Sequence, residues 1–455
     1  MIRLPSKTTL TIVAFGAILG LADVVPALRD YKVMDWRTIP GVLDFVDRRP
    51  SVDPELEERQ RLRPETNPYK QIRYPILDPK HTLDSFYQAL LQTEGKKQGE
   101  VVRILHYGDS PTTADLITSD TRVLLQKQFG DAGHGFCLVA KPWAWYAHRG
   151  VDLDGSGWEI DPANQSTVRD GLYGLGGVSF RGGAGATARI RLRDRGHRSI
   201  EVAYLRQPGG GQLRAEADGK ELGVVNTDGA VRGSGFARFR IPEQTRVITL
   251  QVMNATVRLF GVLLSKDVPG VMYYSLGVNG AYVSVLARLM NEGHWREQLR
   301  HYRPHLVIVN YGTNESAYPK FVDYVSEKET LEVVRRIRKA LPDTAVLVMS
   351  PMDRGQRMTD GEISTVPAIP RLVAIQERAA RESGCAFFNT FEAMGGMGTM
   401  GRWYEAEPRL VGADFIHPMP AGAKIVGGLL YQALIDGYNK YKLRLLRKRT
   451  MVASN

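Results

Sequence analysis

Two rhythms of apolar and polar residues divide this 455-residue chain. Residues 101–105, 306–309, 345–349 and 386–388 are near-continuous apolar runs of strand length. Such runs belong to strands buried on both faces. Between them lie stretches with the 3.6-residue period of amphipathic helices: positions 83, 86, 87, 90 and 91 after a cap at Thr82, then 331–341 and 369–383. Strand then helix, repeated, predicts an α/β domain with a parallel sheet and helices on both of its faces. From about 150 to 270 the period drops to two, as in 188–192, 199–205 and 246–252, with glycine-rich turns between the runs. That texture predicts a β-sandwich at 151–270 inserted into an α/β domain formed by 81–150 and 271–440.

The ends have other characters. Arg3 and Lys7 precede an apolar stretch at 11–22, which extends through Val24, Val25 and Leu28. Residues 1–28 therefore read as a signal peptide, with Gly20-Leu21-Ala22 as its cleavage site, or as a membrane anchor; both export the body of the chain. Residues 29–80 are dense in Pro, Arg and Glu and read as a charged linker, and 441–455 as a basic tail in which the last helix frays. The chain is 43% hydrophobic and 24% charged, enough to bury a full core, and its formal net charge is +11. For an exported protein that balance fits cell-wall polymers or a membrane surface; no nucleic-acid motif accompanies it. Cys137 and Cys385 fall in different expected elements and read as core residues. Of the nine histidines only His301 and His305 stand four apart, and Pro304 between them makes this a helix-to-strand connection. Neither a metal site nor a cofactor is expected.

Four blocks carry candidate chemistry. Gly108-Asp109-Ser110 closes the first apolar run and opens a helix-compatible stretch, which would put the Ser110 hydroxyl in the crevice where open α/β sheets bind ligands. The same tripeptide also makes an ordinary turn and helix cap. Asp414 and His417 are spaced so that a carboxylate can hold an imidazole tautomer, leaving Nε2 free to take a serine proton, although Asp414 also suits a helix cap. Asn314 follows the strand at 306–310, where its amide can donate to an oxyanion, and the Gly280 loop can offer backbone N–H groups.

In this order the blocks resemble the SGNH (GDSL-type) hydrolases. The strings His106-Tyr107-Gly108-Asp109-Ser110, Tyr311-Gly312-Thr313-Asn314-Glu315 and Asp414-Phe415-Ile416-His417-Pro418 are most similar to its periplasmic peptidoglycan O-acetylesterases. The resemblance implies a flavodoxin-like three-layer sandwich with a jelly-roll-like, carbohydrate-binding-module-like insert. It implies a Ser110, Asp414, His417 triad and an oxyanion hole of Ser110, Gly280 and Asn314. Pro111 departs from the leucine usual after the serine, and Glu315 from the usual aspartate. The activity implied is removal of O-acetyl groups from an extracytoplasmic glycan. Glycan O-acetyltransfer with a membrane acyl-donor partner, and noncatalytic glycan binding, stay open. Trp403 is expected at the substrate rim, and the inner membrane is a further contact if residues 1–28 are not cleaved. Trp143, Trp145 and Tyr146 are expected to be mainly core or interdomain packing.

Overall fold

The computed structural model describes residues 73–94 and 100–453, with Val25 isolated. The expected membrane or signal segment and most of the linker lie outside these. Among the described residues no helix is long and apolar enough to cross a membrane.

The chain runs α1 (Asp84–Glu94), β1 (Val101–Gly108), α2 (Ser110–Thr113), α3 (Leu116–Phe129) and β2 (Gly135–Cys137). Eight strands follow: β3 (Val151–Pro162), β4 (Val178–Leu192), β5 (Ser199–Arg206), β6 (Gln212–Ala217), β7 (Lys220–Asn226), β8 (Gly233–Arg240), β9 (Val247–Asn254) and β10 (Val257–Ser265). The α/β alternation resumes with β11 (Gly270–Gly277), α4 (Glu292–Tyr302), β12 (Leu306–Asn310), α5 (Pro319–Tyr324), α6 (Ser326–Ala340) and β13 (Ala345–Met349). It ends with a small hairpin of β14 (Gly355–Arg357) and β15 (Ile363–Thr365), α7 (Ala368–Ser383), β16 (Ala386–Phe388), α8 (Thr390–Ala393), α9 (Thr399–Glu405) and α10 (Pro420–Ala453).

The apolar runs form one five-stranded sheet in the order β11-β1-β12-β13-β16, every neighbouring pair parallel. Counting only these strands, the order is 2-1-3-4-5, the flavodoxin-like doubly wound arrangement. Helices α1, α3 and α10 pack together as one group and α4, α6 and α7 as another, and both groups contact the sheet. The expected α/β domain with its parallel sheet is therefore present.

A polar chain crosses this apolar sheet. His106 on β1 is fully buried, with Nδ1 2.6 Å from the Tyr273 hydroxyl on β11 and Nε2 3.4 Å from Asn310 Oδ1 on β12. Asn310 Nδ2 then donates to the carbonyls of Met349 at 3.1 Å and Ser350 at 3.0 Å, at the end of β13. Burial pushes the His106 imidazole down to about 4, so it is neutral at physiological pH.

The inserted strands make a second, antiparallel sheet with the path β7-β6-β9-β4-β10-β5-β8, with β3 beside β4 and β2 beside β10. The long strand β4 pairs with β10 through 180–182 and with β9 through 187–191, so it passes from one part of the sheet to the other. The end strands β7 and β8 meet, Gly223 facing the Phe239 ring. Because β2 pairs with β10, the insert's hydrogen bonding reaches back across residue 151. A three-residue strand shows no period-two signal.

The basic stretch after residue 440 does not fray as expected: α10 continues to Ala453. Lys442 is buried and places Nζ 2.8 Å from Glu94 Oε2, and Tyr438 donates to the same oxygen at 2.7 Å. Arg444 pairs with Asp84. The density of positive charge hides a face that docks on α1.

Two glycines let α2 lie against the sheet. A Cβ at Gly277 would stand 2.1 Å from the Thr113 backbone nitrogen, and one at Gly108 2.3 Å from Thr112 Oγ1. We expect Gly277→Ala to lower stability by about 2 kcal/mol or more, because the obstruction is backbone rather than a flexible side chain. Urea unfolding measures this; an unchanged midpoint would show that α2 tolerates displacement.

Candidate active site

The site is assembled from four loops, three of them at the carboxyl ends of β1, β11 and β12 and the fourth just before α10. β1 ends at Gly108, and after Asp109 the chain turns directly into α2, whose first residue is Ser110 and second Pro111. Proline costs nothing there, since the first N–H groups of a helix have no intrahelical acceptor. Behind α2, Asp115 adopts a left-handed φ of 51° and receives a bidentate pair from Arg122, at 3.0 and 2.6 Å. The Arg149 N–H and Thr118 Oγ1 donate to the same carboxylate at 2.8 and 2.7 Å.

The loop before α10 folds back on itself. Gly412 N–H donates to the His417 carbonyl at 2.8 Å, and Phe415 takes a left-handed φ of 59°. Asp414 Oδ1 accepts from the Ile416 and His417 N–H groups at 3.0 and 3.1 Å, which fixes the carboxylate. Its Oδ2 lies 2.6 Å from His417 Nδ1, and His417 Nε2 lies 2.7 Å from Ser110 Oγ. Ser110 and a pair more than three hundred positions away thus form one hydrogen-bonded chain, in the order serine, imidazole, carboxylate.

The third wall comes from β11 and β12. Asn314 begins the 3-10 turn Glu315–Ala317 and donates from Nδ2 to the Ala281 carbonyl at 3.0 Å, tying its loop to the Gly280 loop. Gly280 has a φ of 66° that favours glycine. From the other side Asn164 Nδ2 and Trp145 Nε1 donate to Asn279 O and Oδ1, at 2.9 and 3.1 Å. Asn164 belongs to the insert, which therefore helps to position this loop. Neither the Ser110 nor the Gly280 N–H meets a backbone acceptor among the described residues.

Residues 250–425 match the model of the GDSL-like Lipase/Acylhydrolase family. The chain carries a GDSL-like lipase/acylhydrolase domain. The matched span holds Gly280, Asn314, Asp414 and His417, while Ser110 precedes it. A solved peptidoglycan O-acetylesterase shares the fold of this chain, with a TM-score of 0.66 at 22% identity over 79% of this chain and 97% of that one. Two others are more distant. A salicylyl-acyltransferase from a tetracycline biosynthetic pathway gives a TM-score of 0.28 at 13% identity, over 63% of this chain and 95% of that one. An acetyl xylan esterase gives 0.27 at 15%, over 36% and 80%. No curated protein sequence matches the chain.

Electrostatics in the candidate site separate its carboxyls. Burial raises the Asp414 affinity for a proton, but the hydrogen bonds from the His417 side chain and from the Ile416 and His417 backbone outweigh it and hold Asp414 below the ordinary range. It is a carboxylate at neutral pH. Asp109, next to the serine, is pushed up to about 6 by burial, against opposing contributions from Thr313 and His417. Glu315 is pushed up to about 8, again by burial, with the Asp109 and Glu329 charges adding to the effect and the Val283 N–H opposing it. That N–H donates to Glu315 Oε1 at 2.8 Å. Glu315 thus pins the chain just beyond Gly280 from below.

Trp403 is not a rim residue. It is 7% exposed, and a Cβ on Gly422 would come within 2.9 Å of its ring, so the absence of a side chain at 422 is what admits the indole to the core. Exposed aromatic rings beside the Gly280 and Asn314 loops are instead Trp145, at 56%, and Tyr318, at 57%. Tyr318 went unremarked in the sequence, although it lies four residues after Asn314. Asp353 and Arg354 do not pair with each other: Asp353 accepts from Met400 N–H at 2.9 Å, and Arg354 braces the Asn314 loop through the Thr313 carbonyl, also at 2.9 Å. His301 and His305 do occupy a helix-to-strand connection; His301 pairs with Glu201 and stacks on Phe236. Both cysteines are free and buried. Among the described residues one group has metal-ligand geometry, His134, Asp194 and His197, on loops that do not carry the triad.

The buried acids give a pH signature. Folding makes Glu315 hold its proton more tightly than the unfolded chain does, so this residue's contribution to stability falls as pH rises from the ordinary carboxyl range to about 8. Glu315→Gln removes that loss and keeps an acceptor for Val283. We expect the variant to gain stability relative to wild type between pH 5 and 8, read from urea midpoints; parallel curves would show that Glu315 titrates normally. Comparing the two proteins cancels the opposing contribution of the buried neutral histidines.

Proposed function

We propose that this chain is an exported serine esterase that removes O-acetyl groups from a cell-wall or other extracytoplasmic glycan. The observation that carries the reading is the unbroken chain from Ser110 Oγ through His417 to Asp414. His417 Nε2 takes the Ser110 proton as Oγ attacks the ester carbonyl, and Asp414 stabilises the imidazolium that results. The tetrahedral oxyanion is received by the Ser110 and Gly280 N–H groups and by the second N–H of the Asn314 amide, the first being committed to Ala281. Collapse expels the sugar hydroxyl, which takes the proton from His417. Water, deprotonated by the same imidazole, then releases acetate and restores Ser110.

The exposure of the site favours water and a large substrate. The His417 side chain is 48% exposed. A polymer can lie across such a surface, with Trp145 and Tyr318 offering ring faces to sugars on either side. Export rests on the basic, then apolar, pattern at the amino terminus. We read the insert as a jelly-roll-like, carbohydrate-binding-module-like sandwich, the second point of contact with the glycan. The solved peptidoglycan O-acetylesterase that shares this fold agrees with this substrate class.

Acetate release from an acetate ester and from O-acetylated peptidoglycan tests the proposal. We expect release from both by wild type and none above background by Ser110→Ala; equal release by the two proteins would refute it. Removing one oxyanion donor costs about 3 kcal/mol in comparable sites. Asn314→Ala is therefore expected to reduce kcat on the order of a hundredfold, whereas near-normal turnover would remove Asn314 from the oxyanion hole.

A further inference from the structure

We propose that His134, Asp194 and His197 form a binding site for a divalent transition-metal ion, with zinc the best match, that clamps the β-insert to the acylhydrolase domain. His134 stands just before β2, and Asp194 and His197 lie in the connection from β4 to β5. Each offers one ligand atom, and these atoms all fall within 4.8 Å of one another. His134 Nε2 is 2.8 Å from Asp194 Oδ1, and His197 Nδ1 is 3.8 Å from the same oxygen. Donors around a tetrahedral zinc ion stand about 3.4 Å apart, given bonds of about 2.1 Å. Small side-chain rotations bring the three donors to that spacing, with the ion taking the place of the proton now shared by His134 and Asp194.

His197 makes the cluster more than an ion pair. It is 1% exposed, yet neither ring nitrogen has a hydrogen-bond partner. A buried imidazole without partners is costly, and coordination satisfies it. The His197 ring stacks on His134 with centroids 5.0 Å apart. His148, also buried with both nitrogens unpartnered, sits edge-on to His134 at 5.5 Å.

The surroundings suit a dication with nitrogen and oxygen ligands. Lys266 Nζ lies 2.9 Å from Asp194 Oδ2 and 2.6 Å from Asp131 Oδ2. It therefore orients the Asp194 carboxylate by one oxygen and leaves the other for the ion. One lysine against two carboxylates leaves a net negative charge to meet the cation. Two imidazoles and one carboxylate favour zinc over the oxygen-seeking magnesium and calcium. The motif was invisible in the sequence because His134 is sixty residues from Asp194.

The test uses tag-free full-length protein stripped with a chelator and then equilibrated with zinc or with magnesium. Equilibrium dialysis with metal analysis should find one zinc bound per chain, and zinc but not magnesium should raise Tm by several degrees. His197→Gln and Asp194→Asn should each weaken zinc binding at least tenfold. The stripped protein should keep its Ser110-dependent hydrolysis of a small acetate ester within about twofold, because no ligand belongs to the triad. Zinc binding no tighter in wild type than in both variants would overturn the proposal. If the variants fail to fold, wild type alone decides: no zinc retained, or equal Tm shifts with zinc and magnesium, would overturn it.

Discussion

Parallel pairing of β1 with β12 sets Gly108 level with Asn310, and the geometry of the site follows from that register. In a 2-1-3-4-5 sheet the connections leaving the first and third strands run to opposite faces, which opens a crevice at their carboxyl ends. Ser110 leaves one lip and Asn314 the other. On the outer side β11 pairs with β1 so that Gly277 is level with Gly108, and the Gly280 loop begins at the same height. Three loops are thereby brought together without contacting one another in sequence. The polar chain from Tyr273 through His106 and Asn310 to the end of β13 crosses the sheet just beneath them. In an otherwise apolar sheet such a chain fixes which strands are neighbours, since any slip would strand a buried imidazole or amide.

Charge is used differently at different depths. The Asp115–Arg122 pair is buried but fully hydrogen-bonded, and it anchors the turn between the serine helix and α3. Asp109 and Glu315 are buried with unsatisfied oxygens, Oδ2 and Oε2 respectively, directly behind the reacting groups. Keeping them there lowers stability at neutral pH and above. Functional sites commonly hold such groups where binding or catalysis needs them. Asp414 is the contrast: partly exposed, held by three hydrogen bonds, and ionised where it faces His417. Asp414 thereby gives the imidazole an anion at Nδ1.

The parallel sheet was legible because its strands are buried on both faces and read as plain apolar runs. Ser110 and Asn314 were legible because each closes or follows such a run, Asp414 and His417 because they stand three apart. The insert's alternation located it, though β2 was too short to reveal that its hydrogen bonding starts before residue 151. Other features lay out of reach because they depend on contacts distant in sequence. The face of α10 that docks on α1 was masked by lysines and arginines. Trp403 looked like a rim residue by its position before Asp414, and only the missing side chain at Gly422 explains its burial. Asn164 and Trp145 support the Gly280 loop from elements that carry no motif.

We propose that His417 makes Ser110 nucleophilic. Covalent capture by a fluorophosphonate, followed by peptide mass spectrometry, measures that property without reference to any natural substrate. We expect a single adduct on the Ser110 peptide of wild type, and a labelling rate at least a hundredfold lower in His417→Ala with an unchanged unfolding midpoint. Labelling at another residue, or an equal rate in the variant, would contradict it.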